Sequence, residues 1–395
     1  MISVQEAREI IRDNVSALSP VKIPLAAAAG LVLAEDLYAG IDIPAFPQSS
    51  MDGYALSYES WKSGGRLAVS GRVPAGHKKD TVLLPEQTVR IFTGAPVPTG
   101  ADTVVMQEKV RVENGCLVIE DDRLVAGANV RPAGAEIRAG ALALAKDSRL
   151  TPAAMGFLTG IGIAHARVYP NPSITIIVTG DELQEIGQPL QYGQVYEANS
   201  HALTAALAQW RIGSVRVIKA ADSLDRLTEI LGHALTDSDL VFLTGGISVG
   251  DFDFVWQASR NCGVQQLFHK VRQRPAKPLY FGKKDDRYVF GLPGNPASGL
   301  TSFYEYIVPA LCAMTRRMDQ LTVRRVPLQT PLKKPAGLTH FLKGFYDGYT
   351  ATILEGQESF RMGSFAKANC LVQIDEGVTH CAAGEEVEIH LLPVS

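Results

Sequence analysis

The sequence predicts a multidomain protein that combines an α/β domain with β-rich parts. Its 395 residues exceed the roughly 150 of a typical domain, so several domains are expected. In the middle of the chain, apolar β-branched runs alternate with amphipathic helical segments, which is typical of a parallel sheet with crossover helices. Short β-prone runs separated by proline and glycine lie on both sides of that region.

Composition restricts the class of protein further. Hydrophobic residues make up 46% of the chain and charged residues 20%, which is typical of a folded globular protein. The net charge of −3 provides no general positive field, so we expect no nucleic-acid partner, and local groups would have to hold any anion. No apolar run is long enough to cross a membrane, and the five cysteines have no paired spacing. We expect a cytoplasmic protein without a disulfide framework or a zinc ribbon.

The N-terminal part begins with a helix. Ser3 and Glu6 have the spacing of a capping box, and apolar residues recur at helical spacing from Val4 to Leu18, before a Ser-Pro pair. The pattern predicts a helix over this whole stretch.

The following part, from Asp42 to about Asp122, is rich in short β-prone runs such as 88–92. Asn114-Gly115 lies between two such runs and predicts a two-residue hairpin turn, because both central positions favour positive φ. Thr151-Pro152 then predicts the start of a short helix that ends near Gly160.

Strand and helix patterns alternate between residues 171 and 318. The run 174–178 is almost continuously apolar, which predicts a strand buried on both faces of a parallel sheet. The elements expected after it are a helix at 200–210 capped by Asn199, a strand at 215–218, a helix at 224–235 capped by Asp222 or Ser223, and a strand at 240–243. Beyond Leu321, short strands and turns predict a small β domain.

Three segments that follow predicted strands are candidate binding sites, because ligands of open α/β sheets bind beyond the carboxyl ends of the strands. These segments are 179–183, 244–251 and 293–296. Their glycines let backbone N–H groups approach an anion, and two of the segments carry acids. The alternative for each segment is a tight connection without a ligand.

One of these segments, 246–250, reads G-x-S-x-G after a strand, which is the nucleophile-elbow pattern of α/β-hydrolases and would make Ser248 a nucleophile. An elbow also needs an acid and a later histidine, but His269 is close by and the other later histidines lie in the C-terminal β region. Asp251 and Asp253 would oppose an alkoxide at Ser248. A serine hydrolase is therefore a minor alternative.

A short basic stretch contains Lys270, Arg272, Arg274 and Lys277 and could hold phosphate or an oxyanion. The alternative is a solvated charged surface. Carboxylates beside phosphate ligands favour Mg²⁺, which prefers one or two carboxylates together with substrate oxygens. The residues by themselves thus indicate an enzyme that acts on a phosphorylated small molecule, with Mg²⁺.

Several motifs resemble those of the molybdopterin molybdenumtransferases, the bacterial relatives of the gephyrin E domain. They are the segment 44–55 with Met-Asp-Gly-Tyr at 51–54, and the segments 90–96, 245–253 and 293–296. The motifs occur in the order of the family, and the resemblance extends over nearly the whole chain.

This resemblance implies four domains. They are an elongated discontinuous domain at 1–41 and 136–170, an inserted β-rich domain at 42–135, an α/β molybdopterin-binding domain at 171–318 and a C-terminal β barrel at 319–395. It also implies a homodimer in which the inserted domain of one chain faces the α/β cleft of the other.

The reaction implied by the resemblance is molybdenum insertion into adenylylated molybdopterin with release of AMP, the last step of molybdenum cofactor synthesis, assisted by Mg²⁺. A molybdopterin adenylyltransferase would supply the substrate, and molybdoenzymes would receive the product. The implied catalytic residues are Asp52, Thr93, Glu182, Asp222 and Asp253, of which Asp222 and Asp253 are the candidate magnesium ligands. The implied ligand-binding residues are Gly245, Gly246, Ser248, Arg274, Lys277, Pro293 and Pro296.

The chain also departs from the family. Where the family usually reads Lys-Pro-Gly-Lys-Pro, this chain has arginine at 274 and alanine at 276. Arginine is not equivalent to lysine as an oxyanion ligand, because its planar fork places the charge differently. A catalytically weak paralogue that binds and delivers the cofactor is therefore an alternative, and the choice between molybdate and tungstate stays open.

Overall fold

The computed structural model describes residues 1–246, 254–318 and 320–393. The chain forms two compact units, one of Met1–Val21 with Val168–Ser395 and one of Lys22–Arg167. The predicted combination of an α/β sheet with β-rich parts is confirmed, whereas the boundaries of the four domains stay predictions. None of the described helices has the length and apolar character needed to span a bilayer.

The elements have the following bounds. The helices are α1 (Val4–Asn14), α2 (Tyr58–Lys62), α3 (Pro152–Gly160), α4 (Asn199–Gln209), α5 (Leu224–Asp237), α6 (Phe254–Asn261), α7 (Pro296–Ser302), α8 (Val308–Thr315) and α9 (Met362–Phe365). The strands before residue 170 are β1 (Val21–Pro24), β2 (Val32–Leu33), β3 (Leu37–Tyr38), β4 (Gln48–Ser49), β5 (Gly53–Leu56), β6 (Leu67–Val73), β7 (Gln87–Ile91), β8 (Thr103–Met106), β9 (Val110–Glu113), β10 (Cys116–Ile119), β11 (Val130–Arg131), β12 (Leu142–Leu144) and β13 (His165–Tyr169). The later strands are β14 (Ile174–Thr179), β15 (Leu183–Gln184), β16 (Val195–Tyr196), β17 (Val215–Ala220), β18 (Leu240–Thr244), β19 (Gln265–His269), β20 (Gln273–Arg274), β21 (Tyr280–Lys284), β22 (Arg287–Leu292), β23 (Thr322–Pro327), β24 (Leu332–Lys333), β25 (Thr339–Tyr346), β26 (Ala351–Ile353), β27 (Cys370–Ile374), β28 (His380–Cys381) and β29 (Glu386–Leu391).

The first helix begins as predicted but ends earlier. Ser3 and Glu6 form the complete capping box, in which each side chain accepts a hydrogen bond from the other residue's backbone N–H. The helix ends at Asn14, whose carbonyl accepts hydrogen bonds from the Tyr288 hydroxyl and the Lys283 ammonium group, each at 3.1 Å. The prediction of a helix to Leu18 was wrong because these long-range donors satisfy the carbonyl at the helix end.

The unit of Lys22–Arg167 contains a six-stranded sheet of order β8-β5-β7-β6-β10-β9. The predicted hairpin is confirmed: Asn114 and Gly115 have φ angles of 49° and 78°, and Glu113 pairs with Cys116 across the turn. The predicted helix start is also confirmed, because the Thr151 hydroxyl accepts a hydrogen bond from the N–H of Ala154, with proline at the first helical position.

The α/β sheet of the other unit has the order β17-β14-β18-β22-β21-β19. The first four strands are parallel, as predicted, and every residue of β14 and β18 is buried. Two antiparallel strands, β21 and β19, extend one edge of the sheet.

Two residues predicted to cap helices make no side-chain capping hydrogen bond. Asn199 is the first residue of α4 rather than its cap, and its side-chain amide donates to the carbonyl of Gly294 at 2.9 Å. Ser223 precedes α5 at the expected position but makes no side-chain capping hydrogen bond. In α4, the Asn199 side chain contacts the distant turn at Gly294 instead of capping its own helix.

The predicted C-terminal β region is confirmed as a sheet of order β20-β25-β27-β29-β23, to which β26 adds on β25. A second, two-stranded sheet of β24 and β28 contributes to the same apolar core, which includes Leu328, Val372 and Ile389. Strand β20 comes from the connection between β19 and β21, so the α/β domain contributes one strand to the C-terminal sheet.

A buried ion network joins this C-terminal sheet to two helical segments. Glu305 lies on a π-helical turn between α7 and α8, is 3% exposed, and accepts hydrogen bonds from His390 at 2.8 Å and Arg8 at 2.5 Å. His390 also contacts Glu388 at 3.1 Å. Burial lowers the pKa of His390, but the Glu305 carboxylate outweighs burial and raises it to about 9.

We expect this network to make stability depend on pH. Because the folded pKa of His390 lies above its ordinary value of 6.5, its contribution is complete below about pH 6.5 and is lost as the pH rises towards 9. The free energy of unfolding should therefore fall by roughly 2 kcal/mol over that interval. Urea unfolding of the wild type at both ends of the interval measures this fall.

His390→Gln should be less stable at the lower pH and should lose most of the pH dependence. The matched control is His380→Gln, because His380 is exposed on the same sheet region. An unchanged pH dependence in His390→Gln would contradict the assignment.

Candidate active site

Four parallel strands end at one edge of the α/β sheet. Thr179 at the end of β14 pairs with Ala220 of β17, and the neighbouring register places Thr244 of β18 beside Leu292 of β22. The three candidate segments and the residues after β17 therefore emerge together. Their common position at the carboxyl ends of the strands is where a ligand would bind in an open α/β sheet, and their role as a binding site stays a prediction.

Acidic residues come together after β14 and β17. The backbone N–H of Asp222 donates to the carboxylate of Asp181 at 3.4 Å. Burial raises the pKa of Asp222, and the negative charges of Asp181 and Glu182 raise it further. Asp181 was not among the predicted site residues, although its position beside Glu182 in the same segment was the signal that could have found it.

Glycine permits this arrangement of carboxylates. Gly180 has a φ of 142°, and a side-chain carbon there would lie 2.7 Å from a carboxylate oxygen of Glu182. The positive φ of Gly180 favours glycine, whereas the Glu182 carboxylate is the end of a flexible side chain that could move aside.

The turn after β18 packs closely against its neighbours. Gly245 has a φ of 90°, and a side-chain carbon there would lie 2.6 Å from the carbonyl oxygen of Thr179. The Gly245 N–H donates to the carbonyl of Leu292 at 3.3 Å. Among the described residues, the buried hydroxyl of Thr244 has no hydrogen-bond partner. Gly246, with a φ of 61°, continues the turn, so the backbone is open to a close ligand.

The turn at 293–296 is held by two distant side chains. Asn199 donates to the carbonyl of Gly294, and the Asn295 amide donates to the Ser359 hydroxyl at 2.9 Å. The N–H of Ala297 donates to the Ser359 carbonyl at 3.2 Å. Pro293 thus enters the turn and Pro296 begins α7 on a fixed backbone. Ser359 was missed because it lies in the C-terminal β region, where no sequence signal connects it to this turn.

The basic stretch emerges at the same edge. Tyr280, the first residue of β21, pairs with Gly291 near the end of β22, and His269 at the end of β19 pairs with Tyr280. The connection from 270 to 279 therefore lies at the carboxyl end of the parallel strands. The side chains of Arg274 and Lys277 are exposed and have no hydrogen bond or ion pair with the described parts of the chain.

Arg272 differs from the other basic residues of the stretch. The guanidinium of Arg272 forms an ion pair with Glu376 at 2.9 Å, so this charge is used within the protein. The expectation that the stretch is merely a solvated charged surface therefore does not fit all of its members. Among the described residues, Lys270, Arg274 and Lys277 have no such ion pair, so these cations are left for a ligand.

In the unit of Lys22–Arg167, Asp52 and Thr93 meet. Both the N–H and the hydroxyl of Thr93 donate to one carboxylate oxygen of Asp52 at 2.8 Å. The backbone hydrogen bond from Thr93, followed by the hydroxyl, lowers the pKa of Asp52. The guanidinium of Arg90 lies over the rings of Tyr54 and Phe92. Pairing of β5 with β7 brings these residues together.

Known proteins match the chain along almost its entire length. Residues 2–162 match the MoeA N-terminal region (domain I and II), residues 175–313 match a probable molybdopterin binding domain, and residues 325–392 match the MoeA C-terminal region (domain IV). A crystal structure of the molybdopterin biosynthesis MoeA protein from Pyrococcus horikoshii is similar, with a TM-score of 0.84, 29% identity and coverage of 99% of each chain.

Two relatives share the full length. The molybdopterin molybdenumtransferase of Haemophilus influenzae is 30% identical over 99% of this chain and 100% of its own. Molybdopterin molybdenumtransferase 2 of Mycobacterium tuberculosis is 33% identical over 98% of this chain and 99% of its own. The chain belongs to the molybdopterin molybdenumtransferase family. The resemblance inferred from the sequence motifs is thereby confirmed.

The predicted site residues fall into three groups in this structure. Glu182, Asp222, Gly245, Gly246, Arg274, Lys277, Pro293 and Pro296 come to the edge of the α/β sheet, and Asp52 with Thr93 form a pair in the other unit. Ser248 and Asp253 lie outside the described residues.

The donor atoms suit a hard cation only in part. Within 1–246, 254–318 and 320–393, no three His, Cys, Asp or Glu side chains are arranged to hold a metal ion by themselves. Asp222, Asp181 and Glu182 nevertheless offer only oxygen donors, and their mutual repulsion is what a divalent cation would relieve. Mg²⁺ bound through one or two carboxylates and substrate oxygens fits this arrangement, because that ion rarely needs a complete protein cage.

We expect Asp222→Asn to raise the melting temperature by roughly 1–3 °C near pH 7. The raised pKa of Asp222 means that its ionised form is disfavoured in the folded protein, so removing the charge relieves repulsion. The difference in melting temperature between Asp222→Asn and wild type should become smaller as the pH falls towards 4, because the Asp222 carboxyl group of the wild type then becomes protonated. Thermal unfolding followed by circular dichroism at both pH values measures the difference.

Asp225→Asn is the matched control, because Asp225 is an exposed acid in the first turn of α5, where a negative charge favours the helix. It should lower the melting temperature slightly. An equal change in both variants would mean that Asp222 has no special environment.

Proposed function

We propose that this protein inserts molybdenum into adenylylated molybdopterin and releases AMP, the last step of molybdenum cofactor synthesis. The observation that carries the proposal is that acids, glycine turns and cations without an ion pair in the described parts of the chain lie at one edge of the sheet. Such an edge suits a substrate that carries a phosphoanhydride and receives an oxyanion.

Some groups of the chain would bind the substrate, and another would accept a proton. The backbone around Gly245 and Gly246 and the turn at 293–296 would cradle phosphate oxygens, and Arg274 and Lys277 would neutralise their charge. A water oxygen attacks the phosphorus of the AMP group, the bond from that phosphorus to the bridging oxygen breaks, AMP leaves, and molybdopterin keeps its own phosphate. Asp222, whose pKa is raised, is the acid best suited to take the proton of that water. In the insertion, the two dithiolene sulfurs bond to the molybdenum of molybdate, and one oxygen leaves as water with the two thiol protons.

Mg²⁺ is proposed as the assisting ion, held by Asp253 together with substrate oxygens. Asp222, the other predicted ligand, is proposed as the proton acceptor instead, because a carboxylate bound to the ion could not take up a proton. When bound, the ion neutralises charge that develops on the phosphoanhydride. Glu182 then remains to orient the attacking oxygen.

We also propose a homodimer in which Asp52 and Thr93 of one chain act at the α/β edge of the other. The Thr93 hydrogen bonds lower the pKa of Asp52, so this carboxylate stays ionised and can position a ligand without taking up a proton.

The substrate would come from a molybdopterin adenylyltransferase, and recipient molybdoenzymes would take the product. We place these steps in the cytoplasm, because all five cysteines are free thiols in the structure. The oxyanion is proposed to be molybdate.

The first test of the proposed activity uses purified protein with adenylylated molybdopterin, Mg²⁺ and molybdate. AMP release, followed by chromatography, is expected for the wild type. Asp222→Asn should lower kcat/KM by about 10²- to 10⁴-fold, because it removes a proton acceptor.

Asp225→Asn should retain wild-type turnover, since this acid is exposed on the first turn of α5 and has no role in the proposed mechanism. Tight binding of the nucleotide substrate without AMP release would instead identify a cofactor-binding and delivery protein. Equal activity of Asp222→Asn and wild type would remove Asp222 from the mechanism.

A subunit-mixing experiment tests the shared site. Asp52→Ala and Asp222→Ala are each expected to be inactive alone. Mixed after gentle dissociation, they should recover about a quarter of wild-type activity, because half of the dimers are mixed and each mixed dimer has one intact site. No recovery in dimers that are shown to be mixed would mean that each chain supplies its own Asp52.

A further inference from the structure

The connection that carries Arg274 and Lys277 is an extended hairpin with an anchored tip. The N–H of Lys270 donates to the carbonyl of Leu279 at 3.1 Å, and that of Val271 donates to the carbonyl of Lys277 at 2.9 Å. These bonds continue the ladder of β19 and β21 beyond the sheet.

The tip of this hairpin pairs with the C-terminal sheet. Gln273 and Arg274 form β20, which lies parallel to β25 with Gln273 beside Thr339 and Arg274 beside His340. The N–H of Thr339 also donates to the carbonyl of Arg272 at 3.0 Å. The backbone of the tip is therefore held from outside the α/β domain.

Gln273 is the buried centre of the tip. Its side chain is fully enclosed, with 0% of the residue exposed, and its amide nitrogen donates to the carbonyl of Ala276 at 3.0 Å. Its amide oxygen accepts a hydrogen bond from the hydroxyl of Tyr306. Both ends of a buried amide are thus satisfied, which makes the side chain a rigid bridge.

The Gln273 side chain also stabilises an unusual backbone conformation at Ala276. This residue is 5% exposed and has a φ of 62°, in the left-handed region that disfavours residues other than glycine. The hydrogen bond from Gln273 to the Ala276 carbonyl opposes relaxation of the backbone out of that region.

The other end of the bridge reaches the helical segment that begins at the turn of the site. Tyr306 is fully buried on the π-helical turn 303–307, in the run that starts at Pro296. Gln273 therefore connects the basic tip with the segment that follows the 293–296 turn.

No side-chain contact with the described residues fixes the orientation of the Arg274 or Lys277 side chain. Because Arg274 and Lys277 have no hydrogen bond or ion pair with residues that the structure describes, their placement depends on the backbone that carries them. We propose that Gln273, held by Tyr306, is a positioning residue that fixes this backbone so that Arg274 and Lys277 converge on the anionic substrate. This inference rests on the proposed function for the identity of that substrate.

The test compares Gln273→Met and Tyr306→Phe, which remove the bridge with little change in volume. The matched control is Tyr304→Phe, because Tyr304 lies on the same helical turn and its hydroxyl contacts Gln209 at 3.5 Å, away from the tip. Steady-state AMP release gives KM and kcat, and equilibrium dialysis gives the dissociation constant of molybdate alone.

Both bridge variants are expected to raise KM and the molybdate dissociation constant about five- to tenfold, because each loses a hydrogen bond that fixes the backbone carrying Arg274 and Lys277. Their kcat should stay within about twofold of wild type, since neither residue contacts the reacting atoms. Hydrogen exchange of the amides in 270–279 should become faster in both variants and stay unchanged in Tyr304→Phe.

A double variant provides a rescue. Gln273→Met with Ala276→Gly should recover at least half of the lost molybdate affinity, because glycine adopts the left-handed conformation without the cost that alanine carries. A merely structural role for Gln273 would not be rescued by a change in backbone freedom at 276.

Unchanged KM and anion affinity in both bridge variants, or a loss confined to kcat, would overturn the positioning role. Failure of the proposed function is separate, because wild-type protein would then release no AMP. In that case the affinities of the same variants for inorganic pyrophosphate decide the inference: weaker binding supports it, and binding as tight as that of wild type overturns it.

Discussion

The site depends on the register of four parallel strands. Because β17, β14, β18 and β22 end at one level, segments from distant parts of the chain leave the sheet side by side. Close backbone approach is possible at Gly245 because it is glycine, since a side-chain carbon there would collide with the carbonyl oxygen of Thr179. The two antiparallel strands then return a basic hairpin to the same edge.

The chain gives two of its family acids opposite environments. Asp52 accepts two hydrogen bonds from Thr93, which lower its pKa, whereas Asp222 lies near Asp181 and Glu182 and has a raised pKa. An acid that stays ionised suits ligand positioning, and an acid with a raised pKa suits proton transfer or a cation. Two residues of the same type are thus prepared for different tasks by their neighbours.

Local patterns predicted the elements well, and long-range contacts explain most of what was missed. The capping box of Ser3, the hairpin at Asn114-Gly115 and the helix start at Thr151 depend on neighbouring residues, so periodicity and turn chemistry were sufficient. The early end of α1 and the role of Ser359 depend on residues far away in the chain. The motifs indicated which residues belong to the site, but only strand pairing showed that the basic hairpin reaches it.

The buried carboxylate of Glu305 has a consequence for the order in which the protein forms. Its partners are Arg8 in the first helix and His390 in β29. Arg8 is therefore synthesised long before His390. Until β29 is made, the α/β core would have to enclose this negative charge with only one of its two counter-charges, which is costly. Completion of that core is therefore coupled to synthesis of the last strand, and truncation within the C-terminal sheet should impair folding of a domain that ends far upstream.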